Sequence, residues 1–275
     1  MTLLGHLLLA AALEISAQSR AIRPGELVVL TIVAPPDATV HVRAFDRTIT
    51  PFAVDKRRWR ALVGIDLITA PGTYPVRVDV DPGTDHAVYN LVVRPRRFRT
   101  RRLTVDPAFV SPPASARERI ARESALMNET WRHPSHERLW KDTFVAPVDD
   151  AANSAFGTRS VFNGTPLNPH SGADFMSPAG RPIRAPNAGR IVIARDLYFS
   201  GNTVVIDHGL GLFSLLAHLS AFDVHEGDRV AAGDIVGRVG ATGRVTGPHL
   251  HWAVRATGAR IDPLSLLAVL GQSAP

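Results

Sequence analysis

The chain has 275 residues, 45% of them hydrophobic and 20% charged, which is the balance of a folded protein with room for two modest domains. Its formal net charge is +6, and Lys56 and Lys141 are its only lysines, so arginine carries nearly all of the positive charge. An anionic polymer is therefore a reasonable class of partner. Cysteine is absent, which excludes disulfides, thiolate metal ligands and a cysteine nucleophile.

The N-terminus begins with an apolar run. Residues 3–13 read LLGHLLLAAAL and are followed by ISA at 15–17, which matches the core of a signal peptide with a small residue at the cleavage point. The basic flank typical of such segments is missing, so a buried helix or strand is the alternative. We interpret 1–17 as an export signal and expect a periplasmic or secreted protein. Later apolar runs are shorter than the ~18 residues of a transmembrane helix, so no integral membrane span is expected after signal removal.

Residues 18–95 are predicted to form an accessory β-sandwich. Short strands are expected at 26–33, 39–45, 74–80 and 88–93, and turns rich in proline and glycine separate them. This spacing is typical of a small immunoglobulin-like sandwich. The segment shows no catalytic pattern, which favours a role in binding or positioning.

Residues 96–142 are interpreted as a linker with one helix. The arginine cluster at 94–102 invites a nucleic-acid or membrane interpretation, but it has no interleaved stacking aromatics beyond Phe98. A solvated linker strand is favoured, and no nucleic-acid partner is expected. Apolar residues at helical spacing predict one short amphipathic helix at 114–128.

Residues 143–275 return to a β pattern. Short strands alternate with glycine-rich turns, which indicates an antiparallel, barrel-like or folded-sheet domain with little helix. The strands are predicted at 190–194, 202–207, 212–218, 234–239 and 249–255. The predicted fold class is therefore mainly β, with a sandwich, a helical linker and a C-terminal antiparallel domain.

The residues of this last domain that suggest a chemical function are histidines. His249 and His251 lie two residues apart on a predicted strand, so both side chains face one side of the sheet. His170 and Asp174 lie four apart, and Gly172 between them allows the backbone to bend. Two imidazoles and a carboxylate suit Zn²⁺, and three protein ligands leave one position open for water, as in catalytic sites. A single histidine on a strand is more often packed or solvated than a ligand, so only the combination favours a hydrolase.

Three blocks of this sequence resemble the lysostaphin-type (LytM-domain) peptidoglycan metalloendopeptidases. They are NPHSGAD at 168–174, AHLS at 217–220 and TGRVTGPHLHW at 242–252. Segments 154–159, 201–209 and 224–233 also match, so that the resemblance covers roughly 150–265. It implies that His170, Asp174 and His251 bind Zn²⁺ and that His218 and His249 are a catalytic pair without metal. Which of the two histidines is the base is left open.

Two positions depart from the pattern of this family. Leu216 stands where many members have tyrosine, and Ser160 stands where many have a second arginine after Arg159. Asn202 and Arg159 are candidates for substrate binding, and a turn or strand-edge hydrogen bond is an equally good account of them. His208 and His225 belong to none of the three blocks and are interpreted as loop residues.

The resemblance implies a zinc-dependent endopeptidase that cuts stem peptides or cross-bridges of peptidoglycan. The alternative is a wall-binding protein without activity, or an activator of another hydrolase, as in relatives that have lost metal ligands. A biotinyl or lipoyl carrier would need a lysine after Lys141, and the domain has none. The sequence leaves open whether an envelope protein regulates this chain. It also leaves open whether the sandwich or the linker blocks the cleft.

Overall fold

The computed structural model of the protein describes residues 13–82, 86–104, 112–141, 143–153 and 156–271. Most of the export signal predicted at 1–17 lies outside these ranges. The end of that segment belongs to the first strand, β1 (Glu14–Gln18), which pairs with the strand that follows it. The export of the chain stays a prediction.

The N-terminal part consists of β strands. After β1 they are β2 (Leu27–Val33), β3 (Thr39–Ala44), β4 (Arg47–Ile49), β5 (Phe52–Ala53), β6 (Arg58–Gly64), β7 (Gly72–Asp81) and β8 (His86–Val93). They form two four-stranded antiparallel sheets, in the orders β1-β2-β6-β5 and β4-β3-β7-β8. Both sheets contribute buried side chains such as Leu30, Val42 and Val78 to one core, because alternate residues of each strand face the opposite sheet. The β structure predicted for this part is confirmed.

The segment predicted as a linker contains an exposed strand and one helix of 16 residues. Strand β9 (Thr100–Leu103) pairs in parallel with β10 (Arg159–Phe162), which forms a hairpin with β11 (Thr165–Pro166). A 3₁₀ turn leads into helix α1 (Arg117–Arg132), which extends beyond the predicted end at residue 128. Among the described residues, no helix combines the length and the apolar composition needed to cross a membrane.

The C-terminal part is built on a nine-stranded antiparallel sheet. Its strands are β12 (Gly172–Phe175), β13 (Pro182–Arg184), β14 (Gly189–Leu197), β15 (Gly201–Gly209), β16 (Leu212–Phe222), β17 (Arg229–Val230), β18 (Ile235–Val239), β19 (Leu250–Ala256) and β20 (Ala259–Ile261). The central path runs β12-β19-β16-β15-β14-β17. Helix α2 (Pro263–Leu270) follows, and the Asp262 side chain caps it by accepting a hydrogen bond from the Leu264 N–H.

The two faces of this sheet have different surroundings. On one face Leu216, Trp252 and Val254 join the main core. On the other face Phe213 packs with Leu126, Met127 and Trp131 of α1. The rings of Trp131 and Phe213 meet edge to face at 5.1 Å. Helix α1 therefore covers part of the second face.

A buried ion cluster joins the two parts of the chain. Glu26 and Asp262 are 0% and 2% exposed, and Arg20 and Arg96 each contact both carboxylates at 2.8 to 3.4 Å. Buried carboxylates need such cations to offset their lost hydration. The prediction that the whole arginine cluster at 94–102 is solvated is therefore wrong for Arg96, because it is the counter-ion of two acids that the sequence places far away.

Candidate metal centre

The pairing of two strands brings the predicted metal ligands together. In the register of β12 with β19, Asp174 lies opposite His251 and Gly172 lies opposite Ala253. His170 stands just before β12, where its backbone exchanges hydrogen bonds with Gly157 and Thr158 at 2.7 and 3.0 Å. Three side chains from two distant segments of the sequence thus meet on the second face of the sheet.

The three candidate ligand atoms form a small triangle. His170 Nε2 lies 2.9 Å from His251 Nδ1 and 3.0 Å from Asp174 Oδ1, and His251 Nδ1 lies 2.9 Å from the same oxygen. Ligands of a tetrahedral zinc ion at about 2.05 Å would lie about 3.3 Å apart. The triangle is slightly tighter than that, and it is the only group of metal-binding type among the described residues.

Hydrogen bonding within the protein leaves this triangle crowded. If both ring nitrogens donate to the same Asp174 oxygen, two N–H groups lie only 2.9 Å apart, and if one does not donate, its lone pair faces a carboxylate. The remaining nitrogen of His170, Nδ1, is buried and has no partner among the described residues. A divalent cation accepts all three lone pairs at once, so the residues present fit a metal ion.

The charges of the cluster favour a cation as well. Burial alone would raise the pKa of Asp174, but hydrogen bonds from His170 and His251 hold it well below its usual range. Burial also lowers the pKa of His251, which favours the neutral ring that a metal needs. An ionised Asp174 beside a neutral His251 ring favours a cation at the site.

Gly172 provides the space that the His251 ring occupies. A Cβ atom at this position would lie 2.7 Å from Cε1 and 2.8 Å from Nε2 of that ring, and 2.4 Å from the carbonyl oxygen of Trp252. The last contact is with backbone, which cannot rotate away. Any larger residue must displace the ligand strand.

His218 and His249 lie beside the triangle. Their ring centroids are 4.8 Å apart, and His249 Nε2 lies 4.0 Å from Asp174 Oδ1. Nδ1 of His218 lies 3.0 Å from the carbonyl of Thr242, and Nδ1 of His249 lies 2.9 Å from the carbonyl of Gly247. Since a carbonyl only accepts, both rings carry their proton on Nδ1, and Nε2 is left as an acceptor.

A backbone irregularity aims His218 into the site. The pairing of β15 with β16 shifts register between Leu216 and Leu219, and His218 between them adopts a φ of +68°. Bulges of this kind redirect a side chain, and a non-glycine residue at positive φ is uncommon. Burial lowers the pKa of His218 to about 4, and the nearby His251 ring adds to this effect.

The other predicted residues lie on β10, on β15 and in a loop. Asn202 is on β15 opposite Leu219, and exposed Arg159 is the first residue of β10, where its backbone N–H donates to the carbonyl of Arg99 at 2.8 Å.

His225 lies in a loop, which confirms its interpretation as a loop residue. The loop interpretation of His208 is wrong, because this residue is on β15 and fully buried. Its ring packs against Phe144 with centroids 5.2 Å apart.

Sequence reasoning missed Arg255 and the backbone carbonyl of Thr242. Arg255 is four residues after His251 on β19, so the period of two that aligned His249 with His251 places it on the same face. That signal was available in the sequence. The hydrogen bond from His218 to Thr242 depends on a loop conformation that spacing does not encode.

The sequence matches known proteins in this region. Residues 168–263 match Peptidase family M23. The chain is 44% identical over 97 residues to "DD-carboxypeptidase/endopeptidase Mpg" of Neisseria meningitidis serogroup B, a match that covers 35% of this chain and 22% of that protein. It is 37% identical over 107 residues to "Peptidoglycan DD-endopeptidase ShyA" of Vibrio cholerae, covering 39% and 25%. The chain thus spans about a quarter of the length of these curated relatives.

A solved structure matches nearly the whole chain. A crystal structure described as a putative peptidase M23 from Pseudomonas aeruginosa superposes with a TM-score of 0.70 at 32% sequence identity. The match covers 91% of this chain and 96% of the Pseudomonas chain, so it extends far beyond residues 168–263. On this likeness and on the sequence match, the chain belongs to peptidase family M23.

Proposed function

We propose that the protein is a zinc-dependent endopeptidase that hydrolyses peptide bonds in the stem peptides or cross-bridges of peptidoglycan. The observation that carries the proposal is the triangle of His170, Asp174 and His251, with His218 and His249 beside it. The Vibrio cholerae relative that is named a peptidoglycan DD-endopeptidase supports the substrate class. A non-catalytic wall-binding protein would have no need for all five side chains in one place.

The chemistry of the mechanism divides between the ion and the protein. A zinc ion held by His170, Asp174 and His251 would supply Lewis acidity, which polarises a scissile carbonyl and acidifies water. His218 and His249 each present an unprotonated Nε2, since their Nδ1 protons are held by backbone carbonyls. Either Nε2 can take a proton from the attacking water, and once protonated it can donate to the oxyanion or to the leaving amine.

The proposed substrate fixes the place of action. Peptidoglycan lies outside the cytoplasmic membrane, so we place the protein in the periplasm or outside the cell, in agreement with the apolar N-terminal run. The arginine-rich composition suits a wall polymer that carries free carboxylates. A regulatory envelope partner is compatible with this placement.

Digestion of purified sacculi tests the proposal. The purified full chain is incubated with untreated sacculi, after chelation, and after chelation followed by zinc. Released muropeptides are identified by mass spectrometry, and new amino termini within peptides are expected in the first and third samples. His41→Ala, on the exposed face of β3, is the matched control for His249→Ala, which should release products far more slowly. Undiminished products after chelation would contradict the proposal.

A further inference from the structure

The metal centre shares its sheet face with an arginine. On β19 the side chains of Leu250, Trp252 and Val254 are buried in the main core, while His251, Ala253 and Arg255 alternate with them on the opposite face. Four residues at about 3.3 Å each separate the α-carbons of His251 and Arg255 by about 13 Å. A molecule lying along this strand could therefore touch both.

A cavity lies on this face between helix α1 and the sheet. Its volume is about 490 Å³, and Ala253, Arg255 and Leu215 line its floor. Its lining also includes Asn168 and Ser171, the residues on either side of the His170–Pro169 pair. The cavity therefore borders the metal centre. From the helix it is lined by Ile120, Glu123, Ser124, Met127, Asn128 and Trp131.

Arg255 is the cation of this cavity that has no acid partner. Its guanidinium stacks on Trp131 at 5.0 Å and donates one hydrogen bond, to the carbonyl of Gly258 at 3.1 Å. No carboxylate of the described residues lies within ion-pair distance of it. Arg260, the other lining cation, is bidentate to Asp66 at 2.7 and 3.1 Å. Most of the five N–H donors of Arg255 are left for a ligand.

The acid that lines the cavity is already engaged. Glu123 accepts hydrogen bonds from Arg119 at 2.5 Å and from the backbone N–H of Tyr198 at 2.7 Å. The fixed charge that the cavity offers a ligand is therefore positive. Burial and the neighbouring charge of Arg260 lower the pKa of Arg255, as expected for a cation without a counter-ion.

We propose that this cavity is a substrate subsite in which Arg255 binds a free carboxylate of an extended peptide whose scissile bond lies at the metal centre. The inference rests on the proposed function. At about 3.3 to 3.6 Å per extended residue, the carboxylate lies about four residues from the scissile bond. Stem peptides carry free carboxylates on acidic residues and at their C-termini, so the subsite selects carboxylate-bearing stem peptides over uncharged cross-bridges.

Kinetics on paired substrates test the subsite. Purified muropeptide dimers are used as free acids and after conversion of their carboxylates to amides. Amidation should raise the KM of the zinc-loaded wild-type protein about tenfold or more, with kcat changed less than about twofold, because the contact is made in the bound state before reaction. Arg255→Gln should raise KM equally on the free acid and be insensitive to amidation. Arg229→Gln, at an exposed position of β17 in a separate groove, should behave as wild type.

A second pair of variants tests the subsite with Arg255 unchanged, in case Arg255→Gln does not fold. Ser124→Trp would place an indole in the cavity from α1, whereas Ala125→Trp, at the next exposed residue of the same helix, does not line it. The first should raise KM for the free acid and the second should not. Equal KM values for acid and amide in wild type, or the same amide effect in Arg255→Gln, would overturn the subsite.

Binding without turnover separates this inference from the proposed function. The zinc-loaded His249→Ala protein is titrated calorimetrically with a free stem tetrapeptide and with its amidated form. Tighter binding of the acid, lost on adding Arg255→Gln, supports the subsite even if no variant cleaves sacculi. Equal binding of both forms overturns it even if the wild-type protein is an active endopeptidase.

Discussion

The C-terminal sheet holds two groups of histidine, one fully buried and one partly exposed, and they differ in how their nitrogens are satisfied. His208 lies 2.8 Å from the carbonyl of Ala188 through Nδ1 and 2.9 Å from the hydroxyl of Ser214 through Nε2. That hydroxyl also accepts from the indole N–H of Trp252 at 3.2 Å. Donors and acceptors match throughout this group, so it needs no ion.

The group formed by His170, Asp174 and His251 is satisfied less well. Its three polar atoms lie within 3.0 Å of one another, so two rings that donate to Asp174 bring their N–H groups to 2.9 Å. His170 Nδ1 has no partner among the described residues. Burial alone therefore does not identify a metal ligand. What separates the two groups is whether hydrogen bonds within the protein give each ring nitrogen a partner without crowding like groups together.

The largest expected effect is the loss of activity without loss of metal. His218→Ala and His249→Ala each remove an Nε2 acceptor and leave the triangle intact, so kcat should fall by about 10²- to 10⁴-fold. Initial rates of muropeptide release and zinc content measured on the same samples check this. A variant that loses zinc together with activity would instead place that histidine among the ligands.

The hydrogen-bonded group around His208 should make the free energy of unfolding depend on pH. Burial lowers the pKa of His208 to about 4, compared with about 6.5 in an unfolded chain. Between these values the unfolded state binds a proton that the native state does not, so the free energy of unfolding decreases as pH falls. This contribution amounts to about 3 kcal/mol by pH 4.

The uncharged variant His208→Gln isolates that contribution. The gap in free energy of unfolding between wild type and variant, from urea titrations at pH 7 and pH 4, should shrink by about 3 kcal/mol. Zinc content should be unchanged at pH 7. A gap that is the same at both pH values would show that His208 is not held neutral by burial.

A methyl group at residue 172 should weaken the metal site through shape alone. In Gly172→Ala the new Cβ would meet the Trp252 carbonyl at 2.4 Å and displace the His251 ring. Zinc affinity, measured by competition with a chelator, should fall about 10- to 100-fold. Gly72→Ala on β7, where a Cβ finds only ordinary contacts at 3.6 Å or more, is the matched control. Equal affinities in both variants would contradict the packing account of this ligand.

The smallest expected effect comes from Ser214→Ala. Loss of the hydroxyl leaves His208 Nε2 and the Trp252 indole without a partner in a buried place. The free energy of unfolding should decrease by about 1–3 kcal/mol, with kcat and zinc content preserved. Thermal unfolding measures the loss of stability, and an activity assay measures kcat. Loss of zinc would mean that the two groups of histidine are coupled through Trp252.

Much of the fold and the site could be predicted because local patterns encode them. Strands such as β3 and β7 alternate exposed and buried residues, and the sequence showed this period directly. β6 was missed because it opens with the charged segment RWR and only its second half is fully buried. α2 was missed because its run PLSLLAVL is apolar on all sides and lacks a helical period.

Features that depend on contacts between distant segments could not be predicted. His208 stands in a DHG segment typical of turns, yet the sheet continues through it, because packing on Phe144 and the bond to Ala188 outweigh the local preference. The spacing of residues along the sequence does not predict that α1 packs over Phe213 either. Arg255 is the exception, since its phase with His251 could be counted along the strand.

Metal content measured by mass spectrometry tests the central contrast most directly. After gel filtration at pH 7, the wild-type protein and His208→Gln should each carry about one zinc ion per chain, because the triangle is intact in both. Asp174→Ala removes one corner of the triangle and should carry almost none. One zinc ion per chain in Asp174→Ala, or its loss in His208→Gln, would contradict the account.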